Sequence, residues 1–157
     1  MSNAIILAQK GAIDKSFDLL NQFIETCPDN IWAENNGGWP VWQQVYHALS
    51  VVGFFTGFNE GLPALAEPEV ASLKKTAPNT VARDQLKTAL TAARATVEKY
   101  IASISDDDLT KRNEAVFAAV QWDITHAFTL STLAGHNLYH LGSCDAALRD
   151  HGLKGVF

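Results

Sequence analysis

Apolar residues recur along this chain at the three-, four- and seven-residue spacings of an α-helix, and no segment alternates as a half-buried strand would. Ile6, Ile13, Phe17, Leu20 and Ile24 define one face of a first helix, Asn3 to Thr26. Pro28 ends it, because proline disfavours helical backbone in the residue before it. After the turn residues Asn35, Asn36, Gly37 and Gly38, Pro40 suits a first helical position. The second helix then runs to Phe58. Val41, Val45, Leu49, Val52 and Phe55 share it with Trp42, Tyr46, Val51, Phe54 and Phe58, so it is apolar almost all round and is expected to be enclosed by its neighbours.

A long connection, Asn59 to Asn79, carries Pro63, Pro68 and Pro78 and room for a turn of helix. The third helix, Thr80 to Ile104, places Leu86, Leu90, Ala93, Val97, Ile101 and Ile104 on one stripe. Ser105 and Asp108 then resemble a capping box. A short stretch, Arg112 to Trp122, leads to a fourth helix, Asp123 to Asp150, which Gly152 terminates. The predicted fold is all-α, a four-helix bundle with one core, in a single domain over 1–157.

Composition narrows the classes of function. The chain has 157 residues and a net charge of −5, and its basic residues are scattered, so no stripe is available to neutralise a run of phosphates and nucleic acid is not an expected partner. No apolar run is long enough to cross a membrane. The start, Met1-Ser2-Asn3-Ala4, lacks a basic region, so no leader is expected and the cytoplasm is the expected location. Two cysteines, Cys27 and Cys144, make no disulfide framework.

The chemistry concentrates on histidines. His136 and His140 lie four apart, on one helix face, at the edge of the apolar arc of Leu130, Leu133, Ala134 and Leu141. Two imidazoles so placed can converge on one cation. A third ligand must come from another helix, and His47, mid-helix in the most enclosed segment, is the candidate. One of its ring nitrogens would bind the ion and the other a backbone carbonyl, a carboxylate or water. The alternative is that each histidine is separately hydrogen-bonded. His126 is nearly three turns from His136 and reads as structural or surface; His151 sits at the negative end of the last helix. Cys144, one turn beyond His140, is either a soft extra ligand or a small buried hydrophobe. Trp32, Trp39 and Trp42 either pin the first connection or wall a pocket near His47, and Glu60 and Glu67 are candidate carboxylates for an open coordination position.

The stretch Gly135-His136-Asn137-Leu138-Tyr139-His140-Leu141-Gly142-Ser143 resembles the last helix of the DinB/YfiT-like family, and His47 within Trp42–Leu49 resembles that family's first histidine. The resemblance extends to Ile104–Leu109 after the third helix and to the order of four helices. It implies an up-down-down-up bundle, often a homodimer. It also implies a divalent metal, nickel or zinc, on three histidines with an open position, which carries onto His47, His136 and His140. Some relatives transfer a low-molecular-weight thiol, which makes such a thiol the implied partner. Two positions depart from the pattern: Asn137, where relatives often have an acid, and Ser143, where they have glutamine. The amide of Asn137 cannot serve as a general base, and the hydroxyl of Ser143 reaches less far than glutamine's amide. The sequence thus leaves two readings: a metal-dependent thiol transferase or hydrolase with no assigned catalytic residue, or a non-catalytic dimeric helical module whose metal site is structural or vestigial.

Overall fold

The computed structural model describes residues 3–157. Met1 and Ser2, which enter the argument about a leader, lie outside the described residues. Four helical segments surround one continuous core: α1 (Ala4–Thr26), the pair α3 (Val41–Ser50) and α4 (Val52–Thr56), α6 (Arg83–Ala102) and α8 (His126–Asp150). Smaller helices fill the connections: α2 (Asp29–Trp32), α5 (Pro68–Ala71) and α7 (Glu114–Val120).

Cross-helix pairs give the direction of each helix. Lys10 meets Glu98, Asp18 meets Arg94 and Glu25 meets Lys87, so α1 and α6 run antiparallel. Val41 meets Cys144 near the start of α3, and His47 meets His140 further along, so α3 opposes α8. Trp32, before α3, bonds Val81 before α6, and Lys99 near the end of α6 lies over Phe58 beyond α4, so these two segments run parallel. Ser16 meets Asn137 at mid-helix, and Glu34 beyond α1 meets His151 beyond α8, so α1 and α8 also run parallel. The order is up-down-down-up, as the family resemblance implies. The core is built from the expected stripes; Ile13, Leu20, Leu49, Leu86, Leu130 and Leu141 are at most 1 % exposed. Each such side chain contributes roughly 1.5–3 kcal/mol by leaving water.

The structure refines several boundaries. The second helix is divided at Val51, whose backbone stays helical (φ −73°, ψ −10°), while Val51 N–H donates to the His47 carbonyl and Phe55 N–H to that of Val51. It stops at Thr56 rather than Phe58 because Gly57 turns left-handed (φ +77°) against Ala115. The third helix starts at Arg83, where the Gln85 side chain accepts from Ala82 N–H. The fourth starts at His126, capped by Thr125. Ser105 and Asp108 form the expected cap over the turn Asp106–Asp108.

Pro40 is not a first helical residue. It closes a small antiparallel ribbon that the periodicity does not reveal: β1 (Asn35–Asn36) paired with β2 (Trp39–Pro40). Gly37 and Gly38 turn it with φ of +62° and +95°, the left-handed region where glycine carries no Cβ penalty. Gln44 donates to the carbonyls of Asn36 and Trp39 and fastens the ribbon to α3.

Candidate metal centre

His47 enters from α3, and His136 and His140 from successive turns of α8. Their ring centroids lie 4.9 Å (47–136), 4.7 Å (47–140) and 4.6 Å (136–140) apart. One nitrogen from each ring belongs to a set lying within 4.8 Å of one another. The antiparallel pairing of α3 with α8 is what brings the distant stretches together. The spacing of four then stacks both α8 rings on the face that meets His47.

The Nδ1–H of His47 donates to the Ala71 carbonyl at 2.7 Å, which leaves Nε2 with its lone pair. A bond of this kind is how a metal-ligating imidazole is usually oriented. The carbonyl comes from α5, in the long connection, and α5 is held in place by Gln43. Gln43 is fully buried, one turn before His47; its Nε2 donates to the Val70 and Lys75 carbonyls and its Oε1 accepts from Ala77 N–H. In contrast, the Nδ1 atoms of His136 and His140 are buried and find no hydrogen-bond partner among the described residues. A buried polar atom left unpaired costs about 1–3 kcal/mol. Three convergent, uncharged nitrogen donors, two of them on rings with an unsatisfied buried atom, fit a divalent ion of the borderline class.

The electrostatics favour the metal-ready form. Burial, followed by the repulsion of neighbouring imidazoles, pushes His136 down to about 4 and His140 to about 3. His47 is lowered by burial, an effect that its bond to Ala71 opposes. All three are therefore neutral at pH 7, as coordination requires. This carries a prediction for the metal-free protein. An unfolded chain protonates His136 and His140 near 6.5, whereas the folded one holds them neutral down to about pH 4 and about pH 3, respectively. Between these limits the unfolded state holds more protons, so stability falls as pH falls, by about 1.4 kcal/mol per pH unit for each proton of difference. Thermal unfolding in chelator from pH 7.5 to 4.5 should show this slope, and His136→Gln with His140→Gln should flatten it. An unchanged slope in the double variant would mean the rings are not held neutral by the fold.

Around the cluster, Phe55 packs against His136 (6.2 Å between rings) and Tyr139 against His140 (5.1 Å). A pocket of about 470 Å³ opens beside His140, lined by the ribbon residues Gly37 and Trp39, Gln44 and Leu73, and by Tyr139 and Ser143 of α8.

The other sequence candidates lie elsewhere. Glu60 pairs with Lys99 and Glu67 with Lys75, both at the exposed surface, so neither belongs to the histidine cluster. Cys144 is fully buried with its thiol on the Val41 carbonyl, and burial pushes its pKa far up; it is packing, not a ligand. Burial likewise raises Cys27, to about 11. His126 is bonded to the Tyr100 hydroxyl and His151 to Glu34, each at 2.7 Å. Trp42 is core and Trp32 lies under Arg83, whereas Trp39 does wall the pocket. Asn137 points away from the histidines, into the α1–α8 contact, where its amide donates to Ser16 Oγ at 3.0 Å. Sequence reasoning missed Gln43, Gln44 and Ala71. The two glutamines were visible as amides in an otherwise apolar helix; a backbone carbonyl leaves no such signal.

The fold and site together define a helical bundle with a three-histidine centre at the α3–α8 contact. The sequence profile of the DinB superfamily matches residues 12–144, and the chain belongs to that superfamily. No curated protein and no solved structure matches the chain.

Proposed function

We propose that this protein is a metal-dependent enzyme that holds nickel or zinc on His47, His136 and His140 and works on a low-molecular-weight thiol or a hydrolysable substrate. The observation that carries this reading is the convergence of the three rings with the Nδ1 atoms of His136 and His140 unsatisfied. A divalent ion there supplies Lewis acidity, lowering the pKa of a water or thiol brought to it. The chain's own residues orient and enclose. Ala71 fixes the tautomer of His47, Phe55 keeps water from one side of His136, and the pocket beside His140 admits a ligand from the other. No carboxylate belongs to the cluster, so the chain offers no general base among the ligands.

The test is metal content and turnover of tag-free protein. About one divalent ion per chain, lost in His136→Ala, together with metal-dependent consumption of thiol against a panel of electrophiles, is the expected result. Consumption at the metal-independent background rate throughout would remove the transferase reading.

One observation supports the second reading, a dimeric module. From His126 to Cys144, α8 carries no Asp, Glu, Lys or Arg, and Phe128 and Leu138 are exposed on it. A homodimer through this face is part of our proposal, and Leu138→Lys should shift sedimentation toward the monomer. A cytoplasmic protein with neither membrane nor nucleic-acid partner completes the reading. It is supported by two buried free cysteines, by the absence of any helix among the described residues long and apolar enough to cross a membrane, and by the acidic net charge.

A further inference from the structure

We propose that the pocket beside the histidines selects a ligand with a flat apolar body and no charge other than on the atom it presents to the rings. The proposal uses the metal-centre reading only to say where that atom points. Its basis is the lining. Trp39, Tyr139 and Leu73 give apolar surface, and Tyr139 is 76 % exposed, with its ring free to meet a ligand. Among the described residues, no Lys, Arg, Asp or Glu lines the pocket.

The polar groups present do not substitute for a cation. The Gln44 amide nitrogen is committed to two carbonyls of the ribbon, at 2.6 and 3.2 Å. Ser143 Oγ makes only long contacts with Asn36, at 3.4 and 3.5 Å, so it is a neutral donor available to a ligand. The nearby charged residues are engaged elsewhere or outside the lining: Glu34 is on His151, Lys75 is on Glu67, and Lys74, next to Leu73, is exposed. A carboxylate entering this pocket would lose water and gain no opposite charge, only the neutral hydroxyl of Ser143. A ring would gain contact with the aromatic walls. Thiols or electrophiles recognised through carboxylates are therefore poor ligands, and aryl or amide-bearing ones are good.

The probes are 4-mercaptobenzamide and 4-mercaptobenzoate, which share ring and thiol and differ by one charge. In the metal-free protein, amide shifts of Gly37, Leu73 and Ser143 are titrated by NMR. In cobalt-loaded protein, the thiolate-to-cobalt absorption is followed. The amide should bind on the order of 10- to 100-fold tighter in both forms, the range set by leaving one polar group unpaired. Tyr139→Arg, at an exposed rim position, should narrow or invert the ratio. Equal or tighter binding of the benzoate to the metal-free protein, no shift with either probe, or a ratio unmoved by Tyr139→Arg would overturn the proposal. Failure of cobalt to bind would instead overturn the metal-centre reading, and the metal-free titration would still decide this one.

Discussion

Zinc or nickel is expected to raise the melting temperature of the parent protein, and His140→Ala to lose that rise while changing the metal-free melting temperature little. A ligand bound only by the native state raises stability by RT ln(1 + [L]/Kd), about 4 kcal/mol at a thousandfold excess over Kd, and in a chain of this length that raises Tm by roughly 10 °C. Removing one of three donors takes away most of this gain. The metal-free change is small for a different reason. Alanine deletes buried packing, but it also deletes a ring whose Nδ1 is buried without a partner and whose protonation the fold opposes. The two effects oppose each other. Differential scanning fluorimetry with and without ion, beside calorimetric titration of the ion, separates them. A variant that keeps the full zinc response would show that the ion binds elsewhere, and the three-histidine centre would be lost.

Gln43→Leu will lower the melting temperature by about 10 °C and weaken metal binding about tenfold, although Gln43 contacts no ligand ring. Leucine conserves volume but leaves the Lys75 carbonyl and the Ala77 amide unpaired, and the Val70 carbonyl with only the Leu73 N–H, at a buried junction. At about 1–3 kcal/mol each, with partial relaxation toward solvent, the sum is on the order of 3–5 kcal/mol. The loss at the metal follows from position. Ala71 lies between the residues that Gln43 clamps, and its carbonyl orients His47; removing such an outer partner typically costs 10- to 100-fold in affinity. Gln43→Glu keeps the acceptor for Ala77 and is expected to retain more of both properties at a pH where its carboxyl is protonated. Hydrogen exchange at Ala77 reports the clamp directly. Unchanged exchange and melting in Gln43→Leu would show that the connection is held by other contacts.

Asn137 and Ser143 show how far a family pattern can be read without coordinates. Both depart from the pattern that the family resemblance implies, and both flank the histidine pair in sequence. On a helix, the residue after a ligand is turned by about 100° from it. Asn137 therefore meets Ser16 in the contact with α1, and its substitution is a matter of packing. Ser143, three residues beyond His140, stays on the pocket side and touches the ribbon. The ribbon itself was legible only as turn chemistry, because two-residue strands carry no periodicity. The carboxylates Glu60 and Glu67 were plausible by sequence position, yet each lies at the surface beside a lysine.

The sequence by itself determined the four helices, through apolar spacing, and two of the three convergent rings, because a separation of four on a helix fixes a shared face whatever the surroundings. It also supplied His47 as a polar group that an enclosed helix could not leave unpartnered. The meeting of His47 with the other two depended on α3 opposing α8, which local spacing does not encode. The Ala71 carbonyl, the Gln43 clamp and the uncharged pocket likewise join residues far apart in the chain. Helix formation is governed by neighbours three and four residues away, whereas the site is governed by which faces pack together, and only the folded core decides that.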